Sequence, residues 1–231
     1  MARYINGSST YMTIGDNAAL SFPDGGFTLA GWIYLIPSPT RGYYFYSHGT
    51  VQAVSSCNLA IASNGSLIAY VRSDAGVLKQ VGWVVGAIAA GNWYHICLRC
   101  AGDDLRLYKN GVQSGNSDSA SWGGINPSGS LYLGARNDLN ATKFFDGHIA
   151  EWAKWDRAIS DVELAALAAG ANPLRFRQYL RWHWSGRDEL REDVAGLVIT
   201  NYGSTLSDHP PVELPPQNGI IQPVIQRALG V

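Results

Sequence analysis

A surplus of either charge is the first thing this chain lacks. Lys and Arg number 17 against 18 Asp and Glu, and charged residues make up only 15% of the whole. Without a basic surplus there is no strong drive for nucleic-acid binding by counterion release, and no nucleic-acid partner is expected. The one arginine cluster (Arg175, Arg177, Arg181, Arg187, Arg191) has Asp188, Glu189, Glu192 and Asp193 set among it, so it reads as a mixed-charge surface. Cysteine is scarce and odd in number: Cys57, Cys97 and Cys100 give no disulfide framework. Cys97 and Cys100 have CxxC spacing, but the text around them reads as a strand, where residues three apart face opposite sides. No second CxxC completes a zinc site, so both are expected to be small buried residues. No run of eighteen apolar residues exists, so no transmembrane helix is expected. The opening Met1-Ala-Arg-Tyr-Ile-Asn-Gly7 has no apolar core of the kind a secretory leader carries.

Catalytic signatures are missing as well. There is no Gly-x-Ser-x-Gly elbow, no His-Glu-x-x-His and no phosphate-binding Gly-Lys-Ser/Thr loop. The five histidines, His48, His95, His148, His183 and His209, show no ligand spacing and read as structural or exposed.

What the chain does have is 46% hydrophobic residues, enough for a packed core. Short β-like runs alternate with Gly, Asn, Asp and Ser over the first 157 residues. Leu59-Ala-Ile61 and Leu67-Ile-Ala-Tyr-Val71 flank Asn64-Gly65, a hairpin signal. Trp93–Cys100 and Leu105–Lys109 flank Gly102-Asp-Asp104 in the same way. The stretch 145–164 begins as a strand, with Ile149 and Glu151 expected on one side and Ala150, Trp152 and Lys154 on the other. It ends as a helix start. Ser160 and Glu163 have capping-box spacing, Ile159 and Leu164 staple spacing, and Gly170 stands where a C′ glycine belongs. One short helix near 161–169 follows, then a late strand near 180–184, with Trp182 and Trp184 toward the core and Arg181 and His183 on the other face.

Two units are therefore expected: a domain over 1–205 and an extended tail over 206–231. The prolines of His209-Pro-Pro-Val-Glu-Leu-Pro-Pro216 favour an extended path. Ile220, Ile221, Val224, Ile225 and Leu229 are too apolar for a solvated linker, so with Pro210 and Pro211 they mark a tail that docks on a surface, in cis or in trans.

Five pieces occur in the order of a laminin-G-like, concanavalin A-like sandwich of the pentraxin-related type. They are Phe27-Thr-Leu-Ala-Gly-Trp32-Ile, Gly91-Asn-Trp93-Tyr-His95-Ile, Leu105-Arg-Leu-Tyr108-Lys-Asn110-Gly111, Leu131-Tyr-Leu-Gly134 and the stretch Phe145 to Leu167. The chain resembles that family over roughly residues 10–170. The resemblance implies an all-β, antiparallel two-sheet jelly roll. Such proteins mostly bind glycans, proteins or copies of themselves, and the same sandwich also carries glycanases and lyases, so the fold does not fix the function. Leu180-Arg-Trp-His-Trp184 and Asp208-His-Pro-Pro-Val212 resemble extensions of such domains in bacteriophage and prophage proteins. That implies a virion component, a capsid decoration or a tail- or fibre-associated domain, with other virion proteins or copies of itself as partners and no membrane.

Glycanases of this class need two carboxylates aimed together. Here Glu151 is the single acid before Asp156, five residues on and so facing the other way on a regular strand; no enzymatic activity is expected. Calcium is the family's common cofactor. Asp16, Asn17, Asp74, Asp138 and Asn140 could donate, but no acid-rich run surrounds them, and neither metal nor cofactor is expected. Glycan or protein contact needs exposed aromatics beside polar groups. Tyr43, Tyr44, Tyr46, Trp83 and Trp122, the last flanked by Ser and Gly in a long loop, are the candidates.

Overall fold

The computed structural model describes residues 1–37, 39–49, 54–121, 123–186 and 192–213. Its strands in chain order are β1 (Ala2–Asn6), β2 (Tyr11–Ile14), β3 (Gly26–Leu35), β4 (Tyr43–His48), β5 (Ser56–Ile61), β6 (Leu67–Arg72), β7 (Leu78–Val84) and β8 (Trp93–Ala101). They continue with β9 (Asp104–Lys109), β10 (Val112–Gln113), β11 (Leu131–Leu133), β12 (Asp146–Trp155), β13 (Leu180–Trp184), β14 (Ile199–Tyr202) and β15 (Thr205–Ser207); the helix α1 (Asp161–Ala168) lies between β12 and β13. One sheet, A, runs β10-β9-β8-β3-β12-β1-β15 with β13 also on β12; the other, B, runs β14-β2-β11-β4-β5-β6-β7. Every pairing between these strands is antiparallel. This is the two-sheet sandwich the strand pattern calls for.

Period-two alternation builds the core. On β3, Phe27, Leu29, Ile33 and Leu35 point between the sheets, while Ala30 and Trp32 belong to clusters on the outer face. Cys100 lies in the inter-sheet core and Cys97 in the outer cluster beneath α1, so the CxxC residues do face opposite ways. Trp182 and Trp184 join the inter-sheet core as expected.

The helix forms as its sequence dictates. Ser160 accepts from the Glu163 N–H, and the Glu163 carboxylate accepts from the Ser160 N–H at 2.8 Å. Ile159 and Leu164 are both buried with Trp155 and Cys97, completing the staple. Gly170 has φ +99, and a Cβ there would stand 2.2 Å from the Pro211 carbonyl oxygen. The glycine therefore ends the helix and also lets the C-terminal segment pass close by.

The strand leading to the helix departs from simple alternation. The register of β12 on β3 shifts between Ala150 and Ala153, and Glu151 has φ +52. The bulge falls where the other neighbour of β12 changes, from β1 opposite Ile149 to β13 opposite Trp152. As a result Ile149 and Trp152 face inward, and Ala150, Ala153 and Trp155 outward, which corrects the expected split. Lys154 is sealed inside, donating to the Ala19 carbonyl (3.2 Å) and paired with Asp156 (2.5 Å), its Nζ 5.3 Å from the Phe22 ring centre. The boundary expected at 205/206 falls inside β15, which pairs with β1. Residues 206 to 213 thus pack in cis. Ile220, Ile221, Val224, Ile225 and Leu229 lie outside the described residues.

Candidate functional site

The outer face of sheet B carries a polar row from edge to edge. One row of register partners crosses all seven strands: Thr200, Thr13, Tyr132, Ser47, Asn58, Tyr70 and Gln80. Alternation puts these residues outside because their strand neighbours Met12, Ile14, Leu131, Leu133, Cys57, Leu59, Ala69 and Val71 fill the core. Beside the row, Tyr202 stacks on Tyr11 with ring centres 4.4 Å apart and planes 12° apart. Tyr11 in turn lies 5.8 Å from Tyr132 at 26°. Burial pushes the Tyr11 phenol up, and the neighbouring phenols Tyr202 and Tyr132 add to the shift.

Farther along, Ser47 Oγ donates to Asn58 Oδ1 at 2.6 Å and accepts the Asn137 N–H at 3.2 Å. The buried Asn58 Nδ2 has no partner among the described residues. Arg136 lies over the Tyr44 ring at 5.6 Å and is paired with Asp138 at 2.5 Å. The face is bounded by one exposed aromatic on each edge strand. Trp83 on β7 and Tyr202 on β14 are each 46% exposed, and Trp83 meets Tyr70 edge-on at 6.2 Å. Ser47 and Asn58 in the middle of the row are fully buried and Thr13 nearly so, and the groups that reach the surface are those of Thr200, Tyr132, Tyr70 and Gln80, with exposed rings at the two edges. That is the chemistry that suits a hydroxyl-rich ligand.

The expected contact residues divide. Trp83 and Tyr44 are on this face, Trp83 exposed and Tyr44 almost covered. Tyr43 and Tyr46 are instead buried in the inter-sheet core, and their rings are closed to any ligand. A register shift between Tyr44 and Tyr46 turns Tyr43, Phe45 and Tyr46 all inward, which a tyrosine-rich run does not betray. Trp122 lies outside the described residues. Tyr11, Tyr132, Tyr70 and Tyr202 also lie on this face, and the alternation of Tyr11 and Tyr132 with core residues is the sequence signal for the first and second of them.

A second cluster lies on sheet A. Glu151, buried at the bulge, meets His183 Nε2 through one carboxylate oxygen (2.7 Å) and His209 Nε2 through the other (2.9 Å). His183 Nδ1 lies 2.7 Å from Asp193. Burial alone would raise the Glu151 carboxyl, but hydrogen bonds to both histidines outweigh it and hold it below its ordinary value. Burial alone would lower His183, but the bonds to Asp193 and Glu151 lift it above its ordinary value. Histidines expected to be merely structural or exposed are thus joined through Glu151. Both oxygens of Glu151 are engaged by histidines.

The possible calcium donors are committed locally. Asn17 caps Ala19, Asp74 accepts from Asn126, Asp16 from Gly129, Asn140 from Thr142, and Asp138 holds Arg136. Among the described residues no group of three or more His, Cys, Asp and Glu is placed to hold a metal ion.

Two stacked antiparallel sheets with, among the described residues, one α-helix on an outer face and a polar row on the opposite face define a concanavalin A-like sandwich. The chain belongs to the concanavalin A-like lectin/glucanases superfamily, whose laminin-G-type model matches residues 6–165. Its sequence is 33% identical over 113 residues to the neuronal pentraxin receptor of Mus musculus, covering 46% of this chain and 22% of that protein. The match thus spans about a fifth of the curated relative's length. Among solved structures, the heptameric SAP-like pentraxin of Limulus polyphemus superposes with a TM-score of 0.64 at 17% identity, over 92% of this chain and 97% of that one. A candidate carbohydrate binding protein from Bacteroides ovatus gives 0.67 at 17% identity, over 92% of this chain and 61% of that one. At such identities the likeness is one of fold.

Proposed function

We propose that this chain is a non-catalytic binding domain that takes a saccharide on the outer face of sheet B. The observation that carries this reading is the polar row across sheet B, in which Thr200, Tyr132, Tyr70 and Gln80 reach the surface, together with the Tyr202–Tyr11 stack beside it. Hydroxyl-rich ligands need several weak hydrogen bonds and an apolar ring face at once, and this surface supplies both. Membership of a lectin-containing superfamily and the Bacteroides ovatus neighbour support it. A broad glycan array followed by calorimetry on the hits tests it. Binding that weakens in Tyr202→Ala and Trp83→Ala while the fold persists is the expected result; an array blank for the folded protein defeats the proposal.

A second reading concerns assembly. Glu213 is fastened beside the end of α1, where its N–H donates to Gly170 O at 2.8 Å. Since α1 packs on sheet A, Glu213 lies on the side opposite the polar face. An apolar segment starting there suits a virion component, a decoration or fibre-associated domain that docks on another virion protein or another copy and presents its sugar face outward. Deleting residues 206–231 should abolish incorporation into particles; full incorporation of the deletion variant rejects this reading.

A further inference from the structure

Residues 207–213 lie as a strap along the outer face of sheet A, and each fastening is a definite atom pair. Ser207 Oγ meets His148 Nδ1 at 2.5 Å, and His209 Nε2 meets Glu151 at 2.9 Å. Glu213 is held by the Gly170 carbonyl at 2.8 Å and by Arg175 at 2.5 Å. Between these points Pro210 is buried, and Val212 packs on Ala2, Trp32 and Ala150. The first two of these fastenings lead to histidines, and one runs on through Glu151 to His183 and Asp193.

We propose that this strap is a pH-set latch whose lock is the Glu151 carboxylate shared by His183 and His209, shut while His183 is an imidazolium and released when it loses its proton. The chemistry is one of counting protons. An imidazolium gives Glu151 an N–H and, with Nδ1 standing 2.7 Å from Asp193 off the line of a hydrogen bond, sets a positive charge between the two carboxylates. A neutral imidazole has a single N–H and no charge, and leaves one carboxylate facing a lone pair. The side chains of Glu151 and His183 are almost wholly buried, so solvent cannot make good the loss.

The groups around the lock come from several elements. Glu151 belongs to β12, His183 to β13, and His209 to the strap. The turn after β13 contributes Asp193 and Glu192. Glu192 is already spent, accepting the backbone N–H groups of His183, Val194 and Leu197. His148 with Asp146 and Asp208 stands at one end of the strap, and Arg175 with Glu213 at the other.

The signs agree with this picture. His183 lies above its ordinary 6.5, so its contribution is complete below 6.5 and fades as pH rises past the raised value. Glu151 lies below its ordinary 4.5, so its contribution is complete above 4.5 and fades as pH falls past the lowered value. Release therefore comes as pH rises past the raised value of His183. It would uncover Ala2, Trp32 and Ala150 and join them to a row of half-buried rings on neighbouring strands: Tyr4, His148, Tyr34 and Trp93.

Hydrogen exchange read by mass spectrometry on the full chain tests the latch, with the Glu213 amide as reporter. Protection of 207–213 should fall on the order of tenfold between about pH 6 and about pH 9, while β3 and β8 keep theirs. His209→Gln, at a half-buried position, should lack that protection at both pH values with an unchanged circular dichroism spectrum. Asp193→Asn should move the release to lower pH, since it removes a partner that holds the proton on His183. Wild-type protection that is equal at the two pH values overturns the proposal, as does a His209→Gln profile matching the wild type.

Discussion

Trp152 occupies the space that a side chain at Gly31 would need: a Cβ built on Gly31 would stand 2.4 Å from Cδ2 of the Trp152 indole. The two residues belong to adjacent strands, β3 and β12, and the indole is wholly buried, packed near Phe45 and Tyr46 with ring centres 5.8 and 5.7 Å away. The contact is with a rigid ring rather than the end of a flexible chain, so the neighbour cannot yield cheaply. Gly31→Ala should therefore destabilise the fold by about 1–3 kcal/mol through overpacking. Urea unfolding followed by tryptophan fluorescence would read this as a lower midpoint at unchanged slope. A midpoint equal to the wild type's would mean that the two strands separate more easily than the packing implies.

The start of α1 gives a smaller, pH-dependent effect. Glu163 is pulled down to about 2, first by Arg157, whose guanidinium it binds at 2.6 and 2.8 Å, and also by the Ser160 N–H and hydroxyl. A depressed carboxylate contributes stability above its ordinary 4.5 that is lost as pH falls toward about 2. Ser160→Ala should cost about 0.5–2 kcal/mol at neutral pH, the usual worth of a cap. Glu163→Gln should flatten the acid limb of the stability curve below pH 4.5, measured by chemical denaturation at stepped pH. An unaltered acid limb would place that pH dependence elsewhere.

The capping box, the staple and the CxxC faces could be foreseen because each depends on residues within one turn or one strand. The bulges at Glu151, Phe45 and Trp83 could not, because each is set by which strand lies alongside. At Glu151 the chain adopts φ +52, a conformation that costs an ordinary residue roughly 1–2 kcal/mol, at the point where β1 gives way to β13. One inserted residue there reverses the facing of everything after it, so Trp152 and Lys154 keep company with Ile149. The link among Glu151, His183 and His209 was equally hidden. The three residues lie far apart in sequence and meet only because β13 and the strap flank the same bulge. The polar row on sheet B was half legible: alternation shows which residues of each strand face outward, but not which strands lie side by side.

Two buried histidines make the fold acid-sensitive in a way distinct from the latch. His95 is lowered to about 3 by burial, and His48 to about 4, mainly by burial with a partly offsetting bond to the Gly129 carbonyl. Each is neutral when folded and free to take a proton near 6.5 when unfolded, so stability falls as pH drops from 6.5 toward those values. His95 packs edge-on against Trp32 at 5.4 Å, and its Nδ1 has no hydrogen-bond partner among the described residues. His95→Gln should reduce the loss of stability between about pH 6 and about pH 4, even if it lowers stability at neutral pH. Thermal melts across that interval give the slope directly, and a slope as steep as the wild type's would assign the acid sensitivity to other groups.

The binding face and the core make opposite demands on the tyrosines, and this separates recognition from folding. Tyr46 is fully buried beside Trp152, and its removal leaves a void in the core. Tyr46→Ala should cost about 3–5 kcal/mol of stability. Tyr202 and Trp83 stand 46% exposed at the two edges of sheet B, where truncation opens no cavity. Tyr202→Ala and Trp83→Ala should each leave stability within about 1 kcal/mol of the wild type. Each should nevertheless weaken saccharide binding, by about 1–3 kcal/mol if the ring carries a buried contact. The Tyr11 phenol, crowded by Tyr202 and Tyr132, gives a finer test. Tyr11→Phe keeps the ring stack and removes one hydroxyl, so it should reduce affinity with almost no change in melting temperature. Paired melting curves and calorimetric titrations on the four variants settle the matter. If Tyr202→Ala, Trp83→Ala and Tyr11→Phe all bind as tightly as the wild type, the saccharide face is not on sheet B.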